Sequence, residues 1–369
     1  MQHFNKLNFS GGPGVLPISV LEEVQQAILE VPGTRLSLLG LSHRSDWFES
    51  VVKEAEDNIR TLLGVGKEYH VLLLQGGATQ QFSMVPMTLL RGSTTPAEYI
   101  SAGYWSSKCV EAAVREGPVS LLWADPSGKN RRLPTDHELS FSPFAPYLHY
   151  VSNETVEGLQ FHRVLGHDDV PRVCDMSSDF LSRPCSAHRF SLIYAHAQKN
   201  LGPAGVTVVV IKDGMLQHAN QDLPDFLNYR KQAEAHSNFN TPPVFSIYVT
   251  LLVTRWLLHK IGGLDNMRVI NSVKSQTLYE FIDHSDGFYT GHAEKRDRST
   301  MNVVFNLPNK ELEEQFLTEA STAGFSGLRG HRSLGGIRAS IYNAMTMYAV
   351  DHLLDFMQSF QQTALVKKD

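Results

Sequence analysis

The stretch FSLIYAHAQKNLGPAGVTVVVIK, residues 190–212, holds two apolar runs, SLIYA and VTVVVI, on either side of a polar turn. Both runs are rich in β-branched and aromatic residues and read as strands. The turn carries one lysine, Lys199, followed by Gly-Pro-Ala-Gly at 202–205. Outward from it, the same alternation recurs. Strand-like runs at YHVLLLQ (69–75), EYISAG (98–103), VSLLWA (119–124), YLHYVSN (147–153) and PRVCDMS (171–177) are separated by helical patterns or polar linkers. The helices are expected at 18–29, 46–63, 80–90 and 106–116. In the first, Val20, Leu21, Val24, Ala27 and Ile28 share one face, and Pro17 and Ser19 act as start signals. Strands alternating with helices predict an α/β fold with a mainly parallel sheet between helical layers. From about Gly262 the pattern changes to a long helix (264–284), a strand MNVVFNL (301–307) and helices at 309–322 and 346–362. This divides the chain into a large unit, 17–262, and a smaller α+β unit, 263–369, joined by the Gly- and Pro-rich arm 1–16.

Composition narrows the function classes. With 369 residues, 42% hydrophobic and 19% charged, the chain can bury a large core. A net charge of −5 supplies no basic surface for nucleic acid or an anionic membrane. Cys109, Cys174 and Cys185 have neither CxxC spacing nor an even count, so no disulfide framework and no metal site is expected. The longest apolar run, FSIYVTLLVTRWLLHKI (245–261), is broken by Thr250, Thr254 and Arg255 and reads as a buried helix. The start, MQHFNKLNFSGGPG, lacks the basic-then-apolar form of a signal peptide, and a reducing cytoplasm is the expected location.

Three features point to chemistry. An amine at the edge of a buried sheet is easily desolvated, which lowers its pKa towards that of a nucleophile or base. For Lys199 the simpler alternative is a solvated lysine on a hairpin turn. Asp175, 24 positions upstream at the end of another apolar run, changes this. In pyridoxal phosphate (PLP) sites a lysine bonds the cofactor aldehyde and an aspartate faces the protonated ring nitrogen. Second, the strand 69–75 runs into Gly76-Gly77-Ala78-Thr79 and then a helix, a turn whose free amides and helix dipole suit a phosphate. Third, His43-Arg44 and His331-Arg332 form two His-Arg pairs, with Arg338 close behind the second. Taken singly, each arginine is most simply a surface ion pair. GHRSLGGIRAS, however, sets these cations among glycines, and arginines converging on a cleft imply a dianionic substrate.

The strings SHR (42–44), LQGGATQQF (74–82), GYW (103–105), SNET (152–155), DMSSDFLSRP (175–184), YAHAQKNLGPAG (194–205), FNTPP (239–243) and GHRSLGGIRASIYNAM (330–345) resemble the phosphoserine aminotransferase family. The resemblance runs from FSGGPGVLP (9–17) to the last helix. It implies a fold-type-I PLP transferase, with a seven-stranded-type, mainly parallel sheet in a large domain and a smaller α+β domain. It also implies transamination between L-glutamate and 3-phosphohydroxypyruvate, giving O-phospho-L-serine and 2-oxoglutarate in serine biosynthesis. Formation of 4-phosphohydroxy-L-threonine in pyridoxine biosynthesis is a second implied activity.

By this resemblance Lys199 bonds the cofactor and acts as acid and base, Asp175 holds the pyridinium proton, and Trp105 stacks on the ring. Ala78, Thr79 and Gln198 bind the cofactor phosphate, and Thr155 meets the ring hydroxyl or phosphate region. Asn240 and Thr241 reach the cofactor phosphate of the neighbouring subunit, which implies a homodimer with shared sites. Arg338 binds the α-carboxylate. Ser10, His43, Arg44, His331 and Arg332 bind either the substrate phosphate or the γ-carboxylate of glutamate. Asn153-Glu154-Thr155 also fits a glycosylation acceptor, but no secretory signal accompanies it.

Two positions depart from the family pattern. His196 replaces a small glycine three residues before Lys199, and Thr300 replaces an arginine. Neither is an expected catalytic residue, so the departures bear on rate and specificity. Among rival readings, a cysteine desulfurase needs a C-terminal cysteine, and none follows Cys185. A serine- or alanine-glyoxylate aminotransferase does not need two His-Arg pairs. A PLP-binding regulatory protein without turnover has no reason to keep Lys199, Asp175 and Arg338 together. A nicotinamide-dependent dehydrogenase would place GxGxxG after a strand, and the chain has none.

Overall fold

Among the described residues, twelve strands and ten α-helices follow one another. In the computed structural model, which describes residues 7–217, 219–220 and 222–366, α1 (Ile18–Leu29) and α2 (Asp46–Leu63) precede β1 (Tyr69–Gln75). Then come α3 (Ala78–Leu89), β2 (Ala97–Ser101), α4 (Tyr104–Ala113), β3 (Val119–Ala124) and β4 (Leu148–Val151). A short antiparallel pair, β5 (Asn153–Glu154) and β6 (Leu159–Gln160), leads to β7 (Arg172–Asp175), β8 (Leu192–His196) and β9 (Val206–Lys212). After these lie α5 (Asp213–Gln217), α6 (Tyr229–Glu234), α7 (Val244–Arg255) and α8 (Leu264–Asp283). The chain closes with β10 (Thr290–Gly291), β11 (Asn302–Asn306), α9 (Lys310–Thr322), β12 (Ile337–Ser340) and α10 (Met347–Val366). Residues 1–6 of the expected arm and 367–369 of the expected C-terminal unit lie outside the described residues.

The central sheet has seven strands in the order β1-β9-β8-β7-β4-β2-β3. Pairs β8–β7, β7–β4, β4–β2 and β2–β3 are parallel, and β9 runs antiparallel to both its neighbours. The expected mainly parallel α/β sheet is what forms. Its middle strands are buried on both faces, which is why they read as unbroken apolar runs. A second, three-stranded antiparallel sheet, β10-β11-β12, packs under α8, α9 and α10 around Tyr289, Phe305, Phe316 and Phe360. Phe9 and Val15 of the arm belong to this second core.

Local signals account for most boundaries. α2 starts where Ser45 Oγ accepts the Phe48 N–H at 3.3 Å, and stops at Gly64 in the left-handed region. Three of the shifts from the expected boundaries have a visible cause. The apolar run 245–261 forms α7 and then a π-helical turn, Trp256–Ile261, that ends at Gly262. α3 opens at Ala78 rather than 80, because Gly77 already holds the extended conformation of a cap. α4 opens at Tyr104 rather than 106, because two buried carboxylates from the 154–157 turn accept its first amides.

Candidate active site

Parallel strands release their ligand-binding loops at their carboxyl ends. Here the ends of β1, β2, β4, β7 and β8 deliver Gly77, Trp105, Thr155, Asp175 and His196 to one pocket, joined by Ala78, Thr79, Gln198 and Lys199. Lys199 lies past the end of β8, on a connection that turns inward, so the solvated-hairpin reading of its sequence does not hold: the residue is only 9% exposed. Its Nζ donates to Thr155 Oγ1 at 2.6 Å and sits 5.9 Å from the centroid of the Trp105 ring. Burial draws this amine down from 10.5 to about 8, and the Arg338 guanidinium adds to the effect against the pull of Asp175 and Glu154.

Asp175 ends β7 fully buried, with Oδ1 accepting the Ser177 N–H at 2.7 Å. Burial pushes its carboxyl above the usual range, while the Ser177 bond and Lys199 oppose this. The first amides of α3, beyond Gly77, have no intrahelical acceptor and face the pocket with the positive end of the helix dipole. The N-terminal arm closes one side. Gly14 N–H donates to Gln198 O at 2.7 Å, and a Cβ on Gly11 would lie 2.3 Å from Arg338 Nη2. Glycine at 11 is therefore what lets the Arg338 guanidinium lie against the arm.

The sequence reading missed two residues. Glu154 and Glu157 are buried, and together they cap the helix that carries Trp105. Tyr104 N–H donates to Glu157 Oε1 at 2.9 Å, Trp105 N–H to Glu154 Oε2 at 3.1 Å and Ser106 N–H to Glu154 Oε1 at 3.0 Å. Burial raises both carboxyls, and the charge on Glu154 raises Glu157 further. Glu154 accepts two amides and Glu157 one, and the Glu154 charge raises Glu157, so Glu157 is the member of the pair that takes up a proton more readily. Glu154→Ala is thus expected to cost about 2–6 kcal/mol, since two buried amides lose their acceptor at ~1–3 kcal/mol each. Glu157→Gln, which replaces the more readily protonated carboxyl and keeps an acceptor for the Tyr104 N–H, should stay within about 1 kcal/mol. Urea unfolding followed by tryptophan fluorescence checks both, and equal losses would mean that Glu157 is charged.

The other expected site residues fall into two groups. Near the pocket, Ser10 Oγ bonds Asn8 Oδ1 at 2.5 Å beside Gly327, and the His331 ring lies 4.7 Å from the Tyr104 ring. Arg332 is exposed next to it. Asn240 donates to Gln75 Oε1 at 2.9 Å at the end of β1 with Thr241 exposed beside it, and His43 offers its carbonyl to Asn238. Asn240, Thr241, His43 and Arg44 are not among the residues that line the Lys199 pocket. Among the described residues Arg44, Arg332 and Arg338 form no ion pair, unlike Arg91, Arg132, Arg163, Arg255 and Arg329. Thr300 bonds Gln160 Oε1 through both its N–H and its hydroxyl and has a structural place. Asn153 of the apparent glycosylation acceptor is buried and bonded to Ser178 and Asn302.

The family model described as aminotransferase class-V matches residues 6–353. The chain belongs to the class-V aminotransferase family. Within the family, the chain is 47% identical over 354 residues to a phosphoserine aminotransferase of Rhodopirellula baltica, covering 96% of this chain and 94% of that one. The solved phosphoserine aminotransferase from Bacillus circulans subsp. alkalophilus superposes with a TM-score of 0.95 at 40% identity, covering 98% of this chain and 100% of the other. The PLP-bound phosphoserine aminotransferase from Trichomonas vaginalis does so with a TM-score of 0.91 at 32% identity, covering 96% and 100%. PLP is the cofactor of this class-V aminotransferase, and the residues present fit it. A buried amine, a buried carboxylate, an indole ring and an open helix N-terminus form the donor set that a flat, phosphorylated aldehyde requires.

Proposed function

We propose that the chain transfers the amino group of L-glutamate to 3-phosphohydroxypyruvate, yielding O-phospho-L-serine and 2-oxoglutarate. The observation that carries this is the burial of Lys199 beside Asp175 and Trp105, with the unpaired Arg338 next to the same amine. When bound, PLP supplies an electron sink for the charge that develops at the substrate Cα. Lys199 Nζ moves the proton at Cα. Burial has brought its pKa near neutrality, where one group serves as both base and acid. Asp175 holds the proton on the ring nitrogen, and Trp105 covers one ring face. Ala78, Thr79 and Gln198 hold the cofactor phosphate, with Thr155 beside the amine that it already accepts from.

Arg338 orients the α-carboxylate, and His331 and Arg332, with Ser10, bind the distal phosphate or γ-carboxylate. One cationic pocket for both anions suits a reaction in which the two donors replace each other. His43, Arg44, Asn240 and Thr241 do not line the Lys199 pocket of one chain, which fits a homodimer in which the partner subunit supplies them. We place the two-unit division at 17–262 and 263–369, with the arm on the second unit, and the enzyme in the cytoplasm.

The absorption spectrum of the purified protein tests the reaction. Glutamate should shift the cofactor band, which lies between roughly 330 and 430 nm, to shorter wavelength. 3-Phosphohydroxypyruvate should restore it. A protein that stays colourless with added PLP would remove the enzyme reading, and restoration by glyoxylate but not by the phosphorylated keto acid would reassign the substrate.

A further inference from the structure

The GYW string holds a second aromatic residue beside Trp105. Tyr104 opens α4, and its backbone N–H donates to the buried Glu157 Oε1 at 2.9 Å. Its ring meets two others: Trp105 edge-on at 5.0 Å, and His331, tilted, at 4.7 Å. Tyr104 therefore bridges a residue of the Lys199 pocket and a residue placed above at the distal anion. Trp105 has anchors of its own. Its N–H donates to Glu154 Oε2 at 3.1 Å, and its ring lies 6.3 Å from that of Phe82. His331 is held differently. Among the described residues, the hydrogen bonds of 331–335 all run within the loop 330–336: Leu334 and Gly335 donate to His331 O at 3.0 and 2.7 Å, and His331 Nδ1 pairs with Ser333 Oγ at 2.7 Å. Gly330 N–H closes the loop on Gly336 O at 2.9 Å. These bonds fix the shape of the loop, and the Tyr104 ring ties it to α4.

We propose that Tyr104 is a positioning residue for the substrate, its ring holding the His331 imidazole where the distal phosphate or γ-carboxylate binds. The inference rests on the reading that His331 binds that anion. A tilted ring pair at this distance is favourable beyond the area it buries, and it brings no charge to compete with Arg332 for the anion. The ring is in turn set by its backbone. Glu157 fixes the Tyr104 N–H, and glycine at 103 makes room for this, because a Cβ there would lie 2.5 Å from Glu157 Oε2. The turn that carries Glu157 also carries Thr155, which accepts from Lys199 Nζ at 2.6 Å. One buried turn thus references both ends of the site, the amine directly and the distal anion through Tyr104 and His331. Such a common reference matters because small misplacements of a bound substrate are costly in rate.

The test is a double-mutant cycle on the PLP-loaded enzyme. KM and kcat for glutamate and for 3-phosphohydroxypyruvate, with the dissociation constant of PLP, are measured for the wild type, Tyr104→Ala, Tyr104→Phe, His331→Ala and the double alanine variant. Every variant keeps the N–H at 104 that Glu157 accepts. Tyr104→Ala is expected to raise both KM values by roughly two- to tenfold, the worth of one aromatic pair, with kcat and PLP affinity unchanged. Tyr104→Phe, which keeps the ring, should restore both KM values. In the His331→Ala background the change at 104 should have no further effect, since residues that act through one contact are not additive. Unchanged KM values in Tyr104→Ala would overturn the proposal, as would a full additional loss in the His331→Ala background. A loss confined to kcat or to PLP affinity would also overturn it and assign the ring to Trp105. A wild type that transfers no amino group, or a His331→Ala variant with wild-type KM values, would instead overturn the function proposed above and this inference with it, so the two failures are distinguishable.

Discussion

Lys199→Ala is expected to lower transamination by at least roughly 10²–10⁴-fold, the range that a positioned general acid–base supplies, with the loss of covalent attachment to the cofactor pushing towards the upper end. The reason lies in its setting. The amine is buried, donates to Thr155 and stands over Trp105, so no other amine among the described pocket residues can take its place. The phosphate cradle and Asp175 are untouched, and the variant should still bind PLP, with the spectrum of the free aldehyde.

The pH dependence follows from the same environment. With the pKa drawn from 10.5 to about 8, the folded protein holds a neutral amine between these values where the unfolded chain holds an ammonium. The unfolded state therefore binds more protons, and this residue makes stability rise with pH across that window. The rate at which cofactor-free wild type captures the aldehyde should likewise rise with pH, with a midpoint near 8. Stopped-flow absorbance reads that rate. Unchanged turnover in Lys199→Ala would refute the assignment.

Asp175→Asn is expected to lower the glutamate half-reaction by roughly 10²–10³-fold, within the range for loss of a proton-holding partner. Asparagine keeps the shape and can still accept the Ser177 N–H, but it cannot carry the negative charge that holds a proton on the ring nitrogen. Folding should not suffer. Burial raises the carboxyl's pKa, so at neutral pH the folded state bears a cost of ionising it that the unfolded chain does not, and removing the charge relieves that cost. The expected signature is a variant with unchanged or higher thermal stability, bound PLP, and a slow half-reaction in single-turnover absorbance. A rate close to wild type would show that Asp175 is a structural carboxylate.

Most of the framework was legible in the residues. The helices 18–29 and 46–63 and the strands 69–75 and 119–124 appear with the boundaries that spacing and caps predict, because local signals decide them. α3 and α4 each begin two residues earlier than expected, for different reasons. The α3 boundary depends on a cap conformation at Gly77, which glycine permits and does not announce. The α4 boundary depends on Glu154 and Glu157, some fifty positions away, with Tyr104 and Glu157 separated by 53 residues. In SNETVEG the two glutamates look like exposed loop charges, and nothing local reveals that they are buried. His196 was legible as a departure from the family pattern, but where its side chain points was not.

The sequence by itself determined the alternation of strands and helices, the family, and the lysine and aspartate on which the chemistry centres. These rest on periodicity, on glycine turns and on residue types that few sites share. Only the tertiary structure decided that the Lys199 amine is desolvated, that Arg338 lies against the arm at Gly11, that two carboxyls share the head of the helix bearing Trp105, and that the His196 ring packs against Gly77. Each of these is set by contacts between residues far apart in the chain. Burial and proximity, which move a pKa or orphan a polar atom, are properties of the packed molecule and not of any segment within it.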